Sequence, residues 1–166
     1  MAVTYDPIAT TTLTGSAVNF TFSSIPTSWT DLRLVITGTP TSSNQDVYIK
    51  VNGLSSIYTR VYLAANGTTI QSNAQATQGN FIATQYAYTD TATAGSWIYD
   101  FFSYANTSYQ KTIMATNSAD QNGVGGIDRI IGRAATTSAI DTIAVTLSAG
   151  SWATNSTATL YGIKAA

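Results

Sequence analysis

The chain has 166 residues and a mass of 17.5 kDa, with 7 basic and 8 acidic side chains for a net charge of −1. A single domain of this length buries roughly 68–70% of its unfolded surface and needs no staples. There is no cysteine, no histidine and no glutamate, which excludes thiolate and imidazole metal sites, serine–histidine triads, cysteine nucleophiles and disulfides. Charged residues make up only 9%, against roughly 25% in ordinary soluble proteins, so the surface must be coated by threonine, serine, asparagine and glutamine.

In chain order the sequence is read as strand after strand. Residues 1–7 lack a basic start and an apolar run, so no signal peptide is expected. An opening strand is expected around residues 8–13. Val18, Phe20 and Phe22 alternate with Asn19 and Thr21; Leu32, Leu34 and Ile36 with Arg33, Val35 and Thr37; Val47, Ile49 and Val51 with Tyr48 and Lys50. This is the two-residue repeat of half-buried strands. Further strands are expected over residues 59–63, 81–88, 96–104, 111–116, 127–133, 140–148 and 158–164. Asn52-Gly53 and Asn66-Gly67 supply turns, and Pro26 and Pro40 end strands. The polar stretch 71–80 reads as a loop or a weak edge strand, and the three-glycine stretch 119–126 as a loop. No window carries a helical period and no repeat is visible. About ten short strands in one domain, residues 1–166, predict an antiparallel two-sheet sandwich of jelly-roll type.

The aspartates are the only acids. A pair could hydrolyse a glycosidic bond, with Asp100, Asp128 and Asp141 as candidates, but no spacing singles out two of them. Asp6, Asp31, Asp46 and Asp90 read as turn caps. Asp100 sits amid aromatics and shares a face with Ile98 and Phe102. If that face is the core, the carboxylate needs a partner, expected to be Arg129, Arg133 or the amides of a nearby loop. The oxygen-rich loop 120–128 has a glycine turn, yet it lacks the terminal glutamate and flanking helices of a calcium loop and the Lys-Ser/Thr of a phosphate loop. No metal and no cofactor are therefore expected.

Trp29, Trp97 and Trp152, with ten tyrosines, are candidates for stacking on sugar rings, although strand packing is the favoured reading. Asn-x-Ser/Thr matches at Asn19, Asn66, Asn106 and Asn155 are expected by chance in so Ser/Thr-rich a chain. Scattered lysines and arginines form no basic stripe for nucleic acid, and no apolar run approaches the roughly 20 residues of a membrane span. Charge depletion with retained Tyr, Trp, Phe and Arg is the composition of the centre of a protein–protein interface, and equally that of a fast-evolving exposed β protein with no partner.

The run from Trp97 to Thr112, with Asp100, Ala105-Asn106-Thr107 and Lys111-Thr112, resembles a segment of small virion structural proteins of tailed bacteriophages of cyanobacteria and marine bacteria. Ile140 to Leu147 followed by Gly150 is similar to that family's penultimate strand, and Leu160-Tyr161-Gly162-Ile163 to its C-terminal signature. Phe20 to Pro26 with Asp31-Leu32-Arg33-Leu34 also fits. The core Tyr99-Asp100-Phe101-Phe102 and Tyr109-Gln110 before Lys111 depart from the pattern. The resemblance implies a non-enzymatic virion component with no catalytic residue, made in the host cytoplasm and carried on the particle surface. A lone sandwich without a shaft suits a capsid decoration (cement) protein that self-associates, a trimer being favoured, and docks on the major capsid protein or other virion proteins. The alternative is the receptor- or glycan-binding head of a tail fibre.

Overall fold

The computed structural model describes residues 5–120, 123 and 125–164. Twelve strands follow one another: β1 (Tyr5–Thr12), β2 (Asn19–Phe22), β3 (Asp31–Gly38), β4 (Val47–Val51), β5 (Tyr58–Ala65), β6 (Ile70–Gln78), β7 (Phe81–Ile82), β8 (Gly95–Phe102), β9 (Lys111–Ala119), β10 (Gly126–Ala134), β11 (Ile143–Leu147) and β12 (Thr157–Ile163). They form two antiparallel sheets, one ordered β1-β12-β3-β8-β9-β10-β5-β6 and the other β2-β11-β4-β7.

The two-sheet antiparallel sandwich expected from the alternation is present. The quartets β1-β12-β3-β8 and β2-β11-β4-β7 have the winding of a jelly roll: the chain crosses from sheet to sheet between β1, β2, β3 and β4, and again on the return through β11 and β12. Two insertions, the hairpin β5–β6 and the pair β9–β10, join each other through β10–β5 and widen the first sheet from four strands to eight. The second sheet has no strands to match this extension.

Alternation explains the core. Leu32, Leu34 and Ile36 of β3 and Val47, Ile49 and Val51 of β4 are fully buried, while their neighbours point outward. Trp97, Tyr99 and Phe101 of β8 fill the space between the sheets with Phe20, Trp152, Val145 and Leu160. The Trp97 and Trp152 rings meet edge-on with centroids 5.5 Å apart, and Phe20 tilts on Trp152 at 5.5 Å, both within the favoured range for aromatic pairs.

Three expectations change. Val18 does not share the core face of Phe20 and Phe22; β2 begins at Asn19, and Val18 is exposed. The polar stretch 71–80 is strand β6 for most of its length, with a bulge near its end where Thr77 takes a φ of 56°. The stretch 81–88 keeps ladder pairing only over Phe81–Ile82; beyond that it becomes a strap across the inner face of the extension.

Candidate functional site

The strap, residues 83–90, stands in for the missing strands of the second sheet; backbone hydrogen bonds of Ala83 with Val47 and of Thr89 with Asn44 and Gln45 tie its ends, and four side chains, Asp128, Arg60, Asn117 and Trp97, hold it on the sheet. The Asp128 carboxylate accepts hydrogen bonds from the backbone amides of Gln85 (2.7 Å), Tyr86 (2.8 Å) and Ala87 (3.0 Å). The Arg60 guanidinium donates to the carbonyls of Ile82 (3.1 Å) and Thr84 (2.7 Å) and to the Gln75 and Gln85 side chains. Asn117 donates to the Ala83 carbonyl, and the Trp97 indole to that of Ala87 at 3.3 Å. Burial pushes the Asp128 carboxyl above its ordinary value, against the opposing pull of the three amides, and lowers the Arg60 guanidinium. Irregular backbone can lie on a buried sheet only when its polar groups are paired, and these side chains do the pairing.

With the inner face covered, the outer face of the extension stays open. Strand register brings its side chains into rows. One row runs Asp100, Met114, Ile131, Val61, Ala74; the next, Ile98, Thr116, Arg129, Leu63, Ser72; a third, Ser96, Ser118, Ile127, Ala65, Ile70. Val61, Leu63, Ile70, Ile127 and Ile131 are between 50% and 78% exposed, which makes them most of the exposed large apolar side chains of the described chain. A groove of about 440 Å³ runs among Leu63, Ile70, Ile98, Ile127 and Arg129. Apart from Arg129, Arg133 and the partly exposed Phe102, the exposed surroundings are serine, threonine and alanine. Scattered single apolar residues are ordinary on a surface, whereas a contiguous group of this kind marks an interaction site.

The residues singled out from sequence fall as follows. Asp100 is buried and charge-paired, but with Arg33 rather than Arg129 or Arg133. It lies directly opposite Arg33 in the β3–β8 register, and Nε and Nη2 reach its two oxygens at 2.6 and 3.1 Å. The face it shares with Ile98 and Phe102 is the outer one, so the arginine and not the core covers it. That hydrogen bond raises the Arg33 guanidinium further above its already high value. Arg129 instead donates to Thr116 across β9–β10 at 2.6 Å, and Arg133 projects from the open face. Asp100 and Asp128 stand on opposite faces of one sheet and cannot converge on one bond. Asp141 binds Thr142 at 3.0 Å.

The tryptophans are not a surface platform. Trp97 and Trp152 are fully buried, and the half-buried Trp29 lies on Gly162, with the Lys164 ammonium 5.4 Å from its ring centroid. In the loop 120–128, Gln121, Asn122 and Val124 lie outside the described residues; Asp120 accepts the Gly123 amide at 2.6 Å. Among the described residues no three acids gather as a metal ion would require.

Arg60 and Asn117 escaped the sequence reading, and Asp128 entered it only as a candidate hydrolytic carboxylate, not as an anchor of the strap. Each occupies the core phase of its strand, with Tyr58 and Tyr62, with Ile113 and Ala115, and with Ile130 respectively. A polar side chain in apolar phase was the available signal.

No family model matches the chain, and no curated protein does. Among solved structures, the chain is similar to the galectin LEC-6 of Caenorhabditis elegans at 15% identity, covering 91% of this chain and 94% of that one with a TM-score of 0.36. A double mutant of Congerin II is 13% identical over 78% of this chain and 98% of its own, with a TM-score of 0.26. A bifunctional GH43-CE protein of Bacteroides eggerthii is 6% identical over 71% of this chain and 17% of its own, also at 0.26. Likeness at this level says nothing of function.

Proposed function

We propose that this chain is a non-enzymatic structural subunit of a phage virion, most of all a decoration protein that docks on the head shell by the open outer face of its eight-stranded sheet. The observation that carries it is the group Val61, Leu63, Ile70, Ile127 and Ile131, exposed together on a charge-poor sheet. Full burial of one such side chain is worth about 1.5–3 kcal/mol; with roughly half of that still to be gained at each, the group supplies several kcal/mol toward a contact. Arg129 and Arg133 flank it as donors for carbonyl or carboxylate groups of the major capsid protein. Arginine without lysine is the usual cation of an interface centre.

The resemblance of the 97–112 and 160–163 segments to small phage virion proteins supports the setting, and the working location is the particle surface. The alternative, a glycan-binding tail-fibre head, expects a cluster of exposed tryptophan and tyrosine; with Trp97 and Trp152 in the core, that cluster would fall to Trp29 and to exposed tyrosines such as Tyr5 and Tyr109.

The test is a reconstruction of particles carrying the chain, with its copy number measured by mass spectrometry. Many copies on the shell, lost in the Leu63→Lys/Ile131→Lys variant whose melting temperature stays within a few degrees of the parent, is the expected result. A few copies at the tail tip, or glycan-array binding without shell occupancy, would overturn it.

A further inference from the structure

The two sheets end in four edge strands, and three of them are blunted. β1 carries Pro7, which has no N–H to give, and a register shift beside it; β2 is 4 residues long and β7 only 2. Short strands, proline and bulges are the ordinary ways to keep an edge from pairing. β6 is 9 residues long and contains neither proline nor charge: Ile70-Gln71-Ser72-Asn73-Ala74-Gln75-Ala76-Thr77-Gln78. Its bulge lies at the far end, past Gln75.

The hydrogen-bond phase of the β5–β6 hairpin fixes which groups face outward. The Asn66 amide donates to the Thr69 carbonyl at 3.2 Å, closing the turn. Antiparallel pairs alternate between bonded and unbonded, so Ala64 with Gln71, Tyr62 with Asn73 and Arg60 with Gln75 exchange the ladder bonds. Ile70, Ser72 and Ala74 therefore turn their N–H and C=O groups to the open side. Two of the outward groups near the bulge end are held by side chains of the same strand: Asn73 Oδ1 takes the Ala74 amide at 2.7 Å, and Gln78 Nε2 caps the Ala76 carbonyl at 2.9 Å.

We infer that the free edge of β6 pairs antiparallel with β6 of a second copy, making a two-fold dimer with one continuous sixteen-stranded sheet. The register centred on Ser72 stays clear of the bulge. It sets Ser72 opposite its own copy and Ile70, 78% exposed, opposite the small Ala74. An uncharged strand meets its copy with no like charges in apposition, which is what makes a second copy the fitting occupant. The Asn73 amide gives up the Ala74 N–H to the incoming strand. Antiparallel pairing of one edge with itself is isologous and closes at two, and the blunted β1 edge stops growth into a filament. Leu63 lies beside Ser72 in its row, so the apolar faces of both copies join across the axis.

Sizing by light scattering and sedimentation of the full chain tests this without any particle, so its outcome is separate from that of the virion reading. The expected mass is twice the 17.5 kDa of the chain. Ser72→Pro removes an outward N–H while sparing the ladder to β5, and Ser72→Lys sets two ammonium groups across the axis. Each is expected to weaken association at least about tenfold, whereas Thr11→Lys on β1 leaves it unchanged. If the Ser72 variants do not fold, amide exchange of the parent decides: the Ser72 N–H is slow in the dimer and fast on an open edge. A monomer at all concentrations, a trimer, a dimer that both Ser72 variants retain, or fast exchange at Ser72 would overturn the inference.

Discussion

Asp100 stands on the outer face of β8 yet is only 6% exposed, because the Arg33 guanidinium closes over it from the neighbouring strand with two hydrogen bonds. The pair is open to solvent on the arginine side, where the side chain is 39% exposed. Water screens it there, so the cost of breaking it falls at the low end of the range for a buried pair. Asp100→Ala is expected to lower stability by about 1–3 kcal/mol in chemical denaturation, and Arg33→Lys to lose part of the same amount, because an ammonium cannot make the two-pronged contact.

Asp128 has no cation in contact and relies on three amides instead. In Asp128→Asn, the new NH₂ group faces N–H donors, and a loss of about 1–3 kcal/mol at neutral pH is expected. The pH dependence has a definite sign. Because burial holds this carboxyl above its ordinary value, the native state takes up its proton before the unfolded chain does. Its contribution is complete below the unfolded carboxylate range and is lost as pH rises through the raised value. The stability gap between parent and Asp128→Asn should therefore widen as pH falls from neutral toward the ordinary carboxylate range. A gap that narrows would mean that the three amides outweigh burial.

At the scale of elements, the strap depends on a close approach. A Cβ added to Gly132 of β10 would lie 2.1 Å from the Thr59 carbonyl oxygen and 2.5 Å from the Phe81 ring. Gly132→Ala must push either the β5 backbone or Phe81 at the root of the strap, and a loss of about 1–3 kcal/mol is expected, read as a lower melting temperature. The same strap shows where sequence reading stops. Phe81, Ala83 and Ala87 carry a strand-like pattern and are all buried, but the amides of residues 85–87 bond a carboxylate and the carbonyls of Ile82 and Thr84 a guanidinium. Local periodicity reports which side chains are buried, not which groups satisfy the backbone. Where a neighbouring strand does satisfy it, as in β3, β4 and β8, the alternation located the element to within a few residues and its buried face correctly.

For the molecule as a whole, the sandwich was legible because most of its strands, β3, β4, β8, β9, β10, β11 and β12 among them, carry a two-residue apolar alternation, whereas the polar β6 does not. The widening of one sheet to eight was not, since the β10–β5 pairing joins segments more than sixty residues apart and nothing local encodes it. The open outer face went unseen for the same reason: Val61, Leu63, Ile127 and Ile131 look like core residues until register shows that their partners are already buried on the other side. Asp100 was assigned the wrong arginine because the correct one, Arg33, is also distant in sequence and meets it only through strand pairing.

The order of the strands bears on how the protein is made. β11 and β12, which follow all the other described strands in sequence, lie inside their sheets, between β2 and β4 and between β1 and β3. A nascent chain that has not yet emerged from the ribosome past residue 142 holds two central vacancies, with β1 and β2 cut off from the strands they will flank. Translation must deliver these keystones before either layer can close, and until then the unpaired flanks on both sides are open to chaperones and proteases alike.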